Sequence, residues 1–306
     1  MPRHLKSRRR RKSKNTRKRQ RKRGGATPGS IFVNWGPKIG LGNQLFIYSA
    51  AVKVQKETGK EILLFPAENN HHSTTDYRPM FKHGKSVDRT PQMLQRMEAA
   101  TKLHEHQFVF YGNWGIEEKA KGPGDVRIKN TATPGYSDGF YQNYESIKDI
   151  IPDIRKELVP QLQEKYKELP IKAKAAFMHV RRGDLIGSSE HSRPEYLQAA
   201  LKYIDNIPGV EVIYVVANPE DSQWCKEQNF QTNKVLEWFI DPDELKAMYL
   251  MSQCSAGAII SSSTFGTWGA ILGADANPSS TILYPKVWSP NNPKAVIEFP
   301  GRWIPI

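Results

Sequence analysis

The chain has 306 residues, with 45 Lys and Arg against 31 Asp and Glu, for a formal net charge of +14. Residues 1–24 hold 9 Arg and 5 Lys and no acid, whereas residues 25–306 hold 31 basic and 31 acidic residues, so the basic character belongs to a tail and does not make the body a nucleic-acid binder. A hydrophobic content of 38% excludes wholesale disorder, and the length suits two domains or one large α/β domain.

Residues 1–30 are of low complexity. Dense like charge with little apolar to bury predicts disorder, and GGATPGS reads as a linker. From Ile31 the pattern changes. IFVNW predicts a strand and GPKIGLGNQ a glycine loop. NQLFIYSAAVKVQKETG predicts a helix with Leu45, Phe46, Ser49, Ala50, Val52 and Val54 on its apolar side and Gly59 as its stop. EILLFPA is a second strand, completing a β-loop-α-β unit. Residues 67–107 are polar and His-rich, with a helix expected at 91–106. QFVFYGNW predicts a strand, 121–139 a loop, and 140–169 helix interrupted at Pro152 and Pro160.

The second half alternates more regularly. Strands are expected at 175–180, 210–218, 234–240, 256–260 and 281–288. Helices are expected at RPEYLQAALKYIDNI, at PEDSQWCKEQ, at DPDELKAMYLMSQCS with Asp241 as cap, and after SSST. Such alternation implies parallel sheets with right-handed crossovers. The expected fold is α/β, with two Rossmann-like domains facing a cleft. The expected division is a tail and linker at 1–30, an N-terminal domain at 31–160 and a C-terminal domain at 161–306.

In open parallel sheets ligands sit beyond the carboxyl ends of strands, and three segments end strands here. In GPKIGLGNQ, Gly36, Gly40 and Gly42 allow close backbone approach, although neither a Walker loop nor the dinucleotide fingerprint is present; a plain turn also fits. In HVRRGD (179–184), forked guanidinium donors suit phosphate. Alternation along the strand lets only one of Arg181 and Arg182 face a given site, leaving the other to pair structurally with a carboxylate such as Asp184. In IISSSTFGTWGA, hydroxyls precede a helix whose free amides form an anion site; ordinary capping explains only one or two of them.

Other features point elsewhere. Cys225 and Cys254 cannot build a disulfide framework, and no CxxC suggests zinc. His71, His72, His104 and His106 read as loop or helix-surface residues, and Trp114, Trp224, Trp238 and Trp268 as core. With no apolar run long enough to span a membrane and no secretory signal, the expected location is soluble and cytoplasmic. The tail leaves a nuclear or membrane-peripheral address open, with an anionic polymer or membrane surface as its partner.

Taken together, the segments resemble a known family. GLGNQLFIYSAA resembles the GLGNQLFQYA opening of glycosyltransferase family 11, the α-1,2-fucosyltransferases. DGFYQNYESIKD is similar to that family's GYFQS-x-KYF, HVRRGDL to its HVRRGDY, and LMSQCSAGAIISSSTFGTWGAIL to its LM-x-x-C-x-H-x-I-x-x-x-STFSWWGAWL. The departures are Ile47 for a Gln, Leu185 for a Tyr, GTWGAI for SWWGAW, and Ala256 where a His is usual.

The resemblance implies a GT-B-like fold, GDP-fucose as donor, transfer with inversion to a galactoside hydroxyl in α-1,2 linkage, and no metal or other cofactor. It implies Arg181 on the pyrophosphate as leaving-group stabiliser and His179 near the guanosine. Ser262, Ser263 and Thr264 would contact phosphate, Gly42 and Asn43 would close over the donor, and Arg182 and Asp184 would brace the site. Residues 31–160 would carry the acceptor and 161–306 the GDP-fucose. No catalytic base emerges from Asp76, His71, His72, Glu190 and His191. Two alternatives remain open: another HxRRGD fucosyltransferase of different linkage, and a non-catalytic sugar-nucleotide-binding or nucleic-acid-associated protein.

Overall fold

The computed structural model describes residues 29–35, 39–67, 75–103, 124–129, 142–182, 192–288 and 299–306. The tail, Gly36, His71, His72, His104, His106, Trp114 and the strand expected at QFVFYGNW lie outside the described residues, as do Asp184, Glu190 and His191.

The first half is a parallel sheet of β1 (Ser30–Asn34), β2 (Glu61–Leu64), β3 (Gly84–Ser86), β4 (Thr101–Leu103) and β5 (Val126–Lys129), in the order β3-β2-β1-β5-β4. Helix α1 (Leu41–Thr58) crosses from β1 to β2 and is buried on every side over its first 14 residues except at Asn43. It ends where Gly59 takes φ 71° and donates its N–H to Gln55 O at 2.7 Å, the left-handed stop expected from sequence. Helix α2 (Pro91–Ala99) is shorter than expected, because the chain turns extended at Ala100 to enter β4.

A short helix, α3 (Tyr144–Ile147), leads into α4 (Ile151–Lys165). Pro152 opens α4, where its missing N–H costs nothing, but Pro160 does not interrupt it. Pro160 is exposed, while Ile151, Ile154, Leu158 and Leu162 bury the opposite stripe, and that packing outweighs one lost backbone bond. The domain boundary expected at 160/161 falls inside this continuous helix.

The second half is a parallel sheet of β6 (Ala175–His179), β7 (Val212–Ala217), β8 (Val235–Ile240), β9 (Gly257–Ile259), β10 (Thr281–Tyr284) and β11 (Ile304–Pro305). Its order is β11-β10-β9-β6-β7-β8. The helices are α5 (Pro194–Ile204), α6 (Ser222–Glu227), α7 (Glu244–Gln253) and α8 (Thr264–Ala276). The cap of α7 is Asp243, which accepts from the N–H groups of Leu245 and Lys246, and not Asp241, which instead pairs with Lys246 at 2.6 Å. Trp268 is core as expected, but Trp238 is 40% exposed because it stands on the outermost strand.

The architecture is the expected GT-B-like α/β pair of sheets, and one apolar core runs through both. Ile31, Val33, Ile154, Phe177 and Trp268 belong to the same buried cluster. Phe46 of α1 meets Trp268 of α8 edge-on at 5.2 Å. Arg155 of α4 donates to Leu272 O at 3.1 Å, Tyr166 donates to Asp243 at 2.7 Å, and the Tyr77 hydroxyl bonds Glu244.

Candidate active site

The chain runs outward from β6 to β8 and then returns to place β9 on the other side of β6. That reversal makes the crevice between the carboxyl ends of β6 and β9 the switch point where ligands bind in such sheets. HVRR leaves β6 there and Ser261–Thr264 leave β9 there, so topology joins two of the three segments singled out from sequence.

His179 ends β6 and is buried. Its Nδ1 lies 2.8 Å from Ser261 Oγ, and its ring centre 5.7 Å from that of Phe265. Burial, with the nearby charge of Arg181 adding to it, pushes the imidazole pKa down to about 3, so the ring is neutral. Gly266 lies flat against it: a Cβ there would come within 2.6 Å of Nδ1, so only glycine lets the first turn of α8 rest on this ring.

Arg181 is held through its backbone. Its N–H donates to Ser192 Oγ and its carbonyl accepts from the Ser192 N–H, both at 2.8 Å. Arg182 stands three residues beyond the end of β6 at His179. Its guanidinium lies 4.3 Å above the Trp224 ring, and its N–H donates to Asp221 at 3.3 Å. The bracing contacts seen for Arg182 are thus with Asp221 and Trp224, while Asp184 lies outside the described residues.

Ser261 is buried beneath His179 and Ser262 is half-buried. Ser263 occupies the cap position of α8, yet its hydroxyl caps nothing: Oγ is buried and has no hydrogen-bond partner. Its carbonyl accepts from the Thr267 N–H and hydroxyl. The N–H groups of Thr264, Phe265 and Gly266 have no carbonyl within the helix to bond. Against this turn lies Gly42, from the start of α1. A Cβ on Gly42 would sit 2.5 Å from Phe265 N and from the Thr264 carbonyl carbon. Asn43, beside it, accepts from Gln142 at 2.9 Å, and Gln44 donates to Ile39 O at 3.1 Å, fixing the glycine loop. Two helix N-termini, one from each half, therefore meet, each carrying free amides and partial positive charge, and Arg181 is near enough to act on His179 beneath the start of α8. Such a place suits a diphosphate.

The base candidates are not brought together. Asp76 is clasped by Arg78 at 2.7 Å, and that bonding holds its carboxyl below the usual carboxylate range, which makes it a weak base. His71, His72, Glu190 and His191 lie outside the described residues. Among the described residues no group of three or more His, Cys, Asp and Glu is placed to hold a metal ion. Sequence reasoning missed Ser261, Gly266, Ser192 and Trp224. Strand parity signalled Ser261, since residues two apart share a face; nothing local signals the other three.

The sequence profile of Glycosyl transferase family 11 matches residues 41–292. The chain belongs to that family. The match covers all the site segments just described, from the Gly42 turn to α8. Among curated proteins this family 11 glycosyltransferase is similar to the O-antigen biosynthesis glycosyltransferase WbnK of Escherichia coli. The two are 24% identical over 303 residues, covering 87% of this chain and 97% of the relative. Among solved structures it is distantly similar to POFUT1 in complex with GDP-fucose, with 13% identity and TM-score 0.44 over 84% of this chain and 98% of that one. It is also distantly similar to the fucosyltransferase NodZ from Bradyrhizobium, with 11% identity and TM-score 0.45 over 79% and 93%. The family assignment stands on the profile match alone. Among the described residues no helix is long and apolar enough to cross a membrane.

Proposed function

We propose that this glycosyltransferase moves L-fucose from GDP-fucose to a galactoside hydroxyl, in α-1,2 linkage and with inversion. The observation that carries the reading is the meeting of the starts of α1 and α8 at Gly42, Thr264 and Phe265, with the buried Ser263 hydroxyl unpartnered beside it. The acceptor hydroxyl oxygen attacks the anomeric carbon from the face opposite GDP, forming the new C–O bond, and its proton passes to solvent. The bond from that carbon to the diphosphate oxygen breaks, and its electron pair leaves with GDP. Arg181, the Ser262 and Ser263 hydroxyls and the amides of Thr264 to Gly266 stabilise the charge that develops. Thr264 stands where α8 touches Gly42, Asn43 closes the α1 side, and the neutral ring of His179 fixes the turn through Ser261. The reading requires no metal.

The test is turnover of GDP-fucose against a panel of galactosides, with the product linkage read by NMR. Arg181→Ala should lower kcat/KM by about 2–4 kcal/mol of transition-state stabilisation. Undiminished turnover in that variant would remove Arg181 from the donor site, and a product of another linkage would replace the α-1,2 assignment.

A further inference from the structure

The far end of α8 closes a second concave site. From Thr264, at the turn against Gly42, the helix runs eleven residues to Asp275, about 16 Å away. There a cavity of about 90 Å³ lies between α3, the start of α4, the end of α8 and the segment that leads into β11. None of the candidate active-site residues lines it.

The fold leaves the polar groups of this cavity short of partners. Trp303 is 3% exposed, and its Nε1 is buried with no hydrogen-bond partner among the described residues. Phe299 stacks on that indole at 5.2 Å and fixes the ring. The Asp275 side chain is only 27% exposed, yet its paired cation, Arg155 Nε, stands 3.9 Å away, too far for a hydrogen bond. Burial lifts its carboxyl above the usual carboxylate range. Tyr144 is half-buried, and burial lifts its hydroxyl as well. Arg302 donates one N–H to Pro278 O at 2.6 Å, which leaves four of the five guanidinium donors.

These groups select a ligand by charge. Arg302 and Arg155 oppose a cation, and Lys148 on the rim is already paired with Glu145 at 2.6 Å. Asp275 opposes an anion. Ile151 and Ile271 line the cavity too, and beside them a water finds nothing to bond. A neutral molecule fits all of this if its hydroxyls both donate and accept and sit on a ring with an apolar C–H face. We infer that the cavity is a sugar-binding site, separate from the cleft, which takes the hydroxyl-bearing edge of one neutral pyranose. Asp275 accepts from one hydroxyl, Arg302 and Trp303 Nε1 donate to its neighbours, and the C–H face rests on the two isoleucines. The space equals that of roughly three waters, which admits such an edge and no second ring. This assignment is independent of the donor's identity.

Ligand-observed NMR and calorimetry on the full chain, with D-galactose, L-fucose and D-glucose in turn and GDP present at saturation, should show binding of at least one sugar. Asp275→Asn and Trp303→Phe should each weaken that binding about tenfold. Asp275→Asn should keep the melting temperature of the sugar-free chain, since its carboxyl has no hydrogen bond to lose, and should leave turnover of a small acceptor unchanged. The two variants report on this cavity whether or not GDP binds, so failure here is distinct from failure of the donor reading. Absence of sugar binding, sugar binding indifferent to both variants, or inorganic phosphate binding that both variants weaken would overturn the inference.

Discussion

At the scale of single residues, His179 shows how burial converts a titratable group into a fixed hydrogen-bonding one. The unfolded chain binds a proton at His179 near pH 6.5, and the folded chain only near pH 3. Between those values the unfolded state holds more protons, so folding stability is fully present above about pH 6.5 and is lost as pH falls towards 3. The slope reaches at most about 1.4 kcal/mol per pH unit. His179→Gln should flatten that dependence, seen as a smaller drop in melting temperature between neutral and mildly acidic pH than the wild-type chain shows. The sequence disclosed that a histidine ends a strand with two arginines just beyond it. It did not disclose that His179 faces Ser261, because the partner lies 82 residues further on and is brought alongside only by the return of the chain to β9.

Among elements, α8 carries the clearest expectation. A serine at a helix cap usually stabilises by about 0.5–2 kcal/mol, but Ser263 makes no capping bond and its buried hydroxyl is unpartnered. Ser263→Ala should therefore leave the melting temperature of the ligand-free protein unchanged or raise it, while raising KM for GDP-fucose. A loss of stability with donor KM unchanged would show that the hydroxyl serves the helix and not the donor. Elements with long apolar runs, such as β6, β7 and α1, were legible in the sequence. The strands β3, β4 and β11 were not, because two or three residues without an apolar pattern become strands only through the neighbours they pair with. Nor was the continuity of α4 through Pro160 legible, since local propensity says nothing about the core beneath Leu158 and Leu162.

At the scale of the whole molecule, the excess charge and the candidate site lie in different parts of the sequence. The +14 resides in residues 1–24 and the body is neutral. A chain beginning at Ser30 should retain turnover, while binding to duplex DNA, steeply salt-dependent in the full chain, should disappear. Calorimetry with GDP and with DNA on both chains checks this. The alternation of strands and helices made two parallel sheets legible. That one core unites them was not, because nothing in a linear pattern says that Phe46 meets Trp268. The contact of Gly42 with Thr264 and Phe265 has a consequence for synthesis. As the chain leaves the ribosome, the start of α1 must wait for its counterpart until more than 200 further residues, those between Gly42 and Thr264, have been made. On the proposed reading, a fragment ending before Ser261 lacks the α8 wall of the donor site and should not bind GDP, which calorimetry on such a fragment checks.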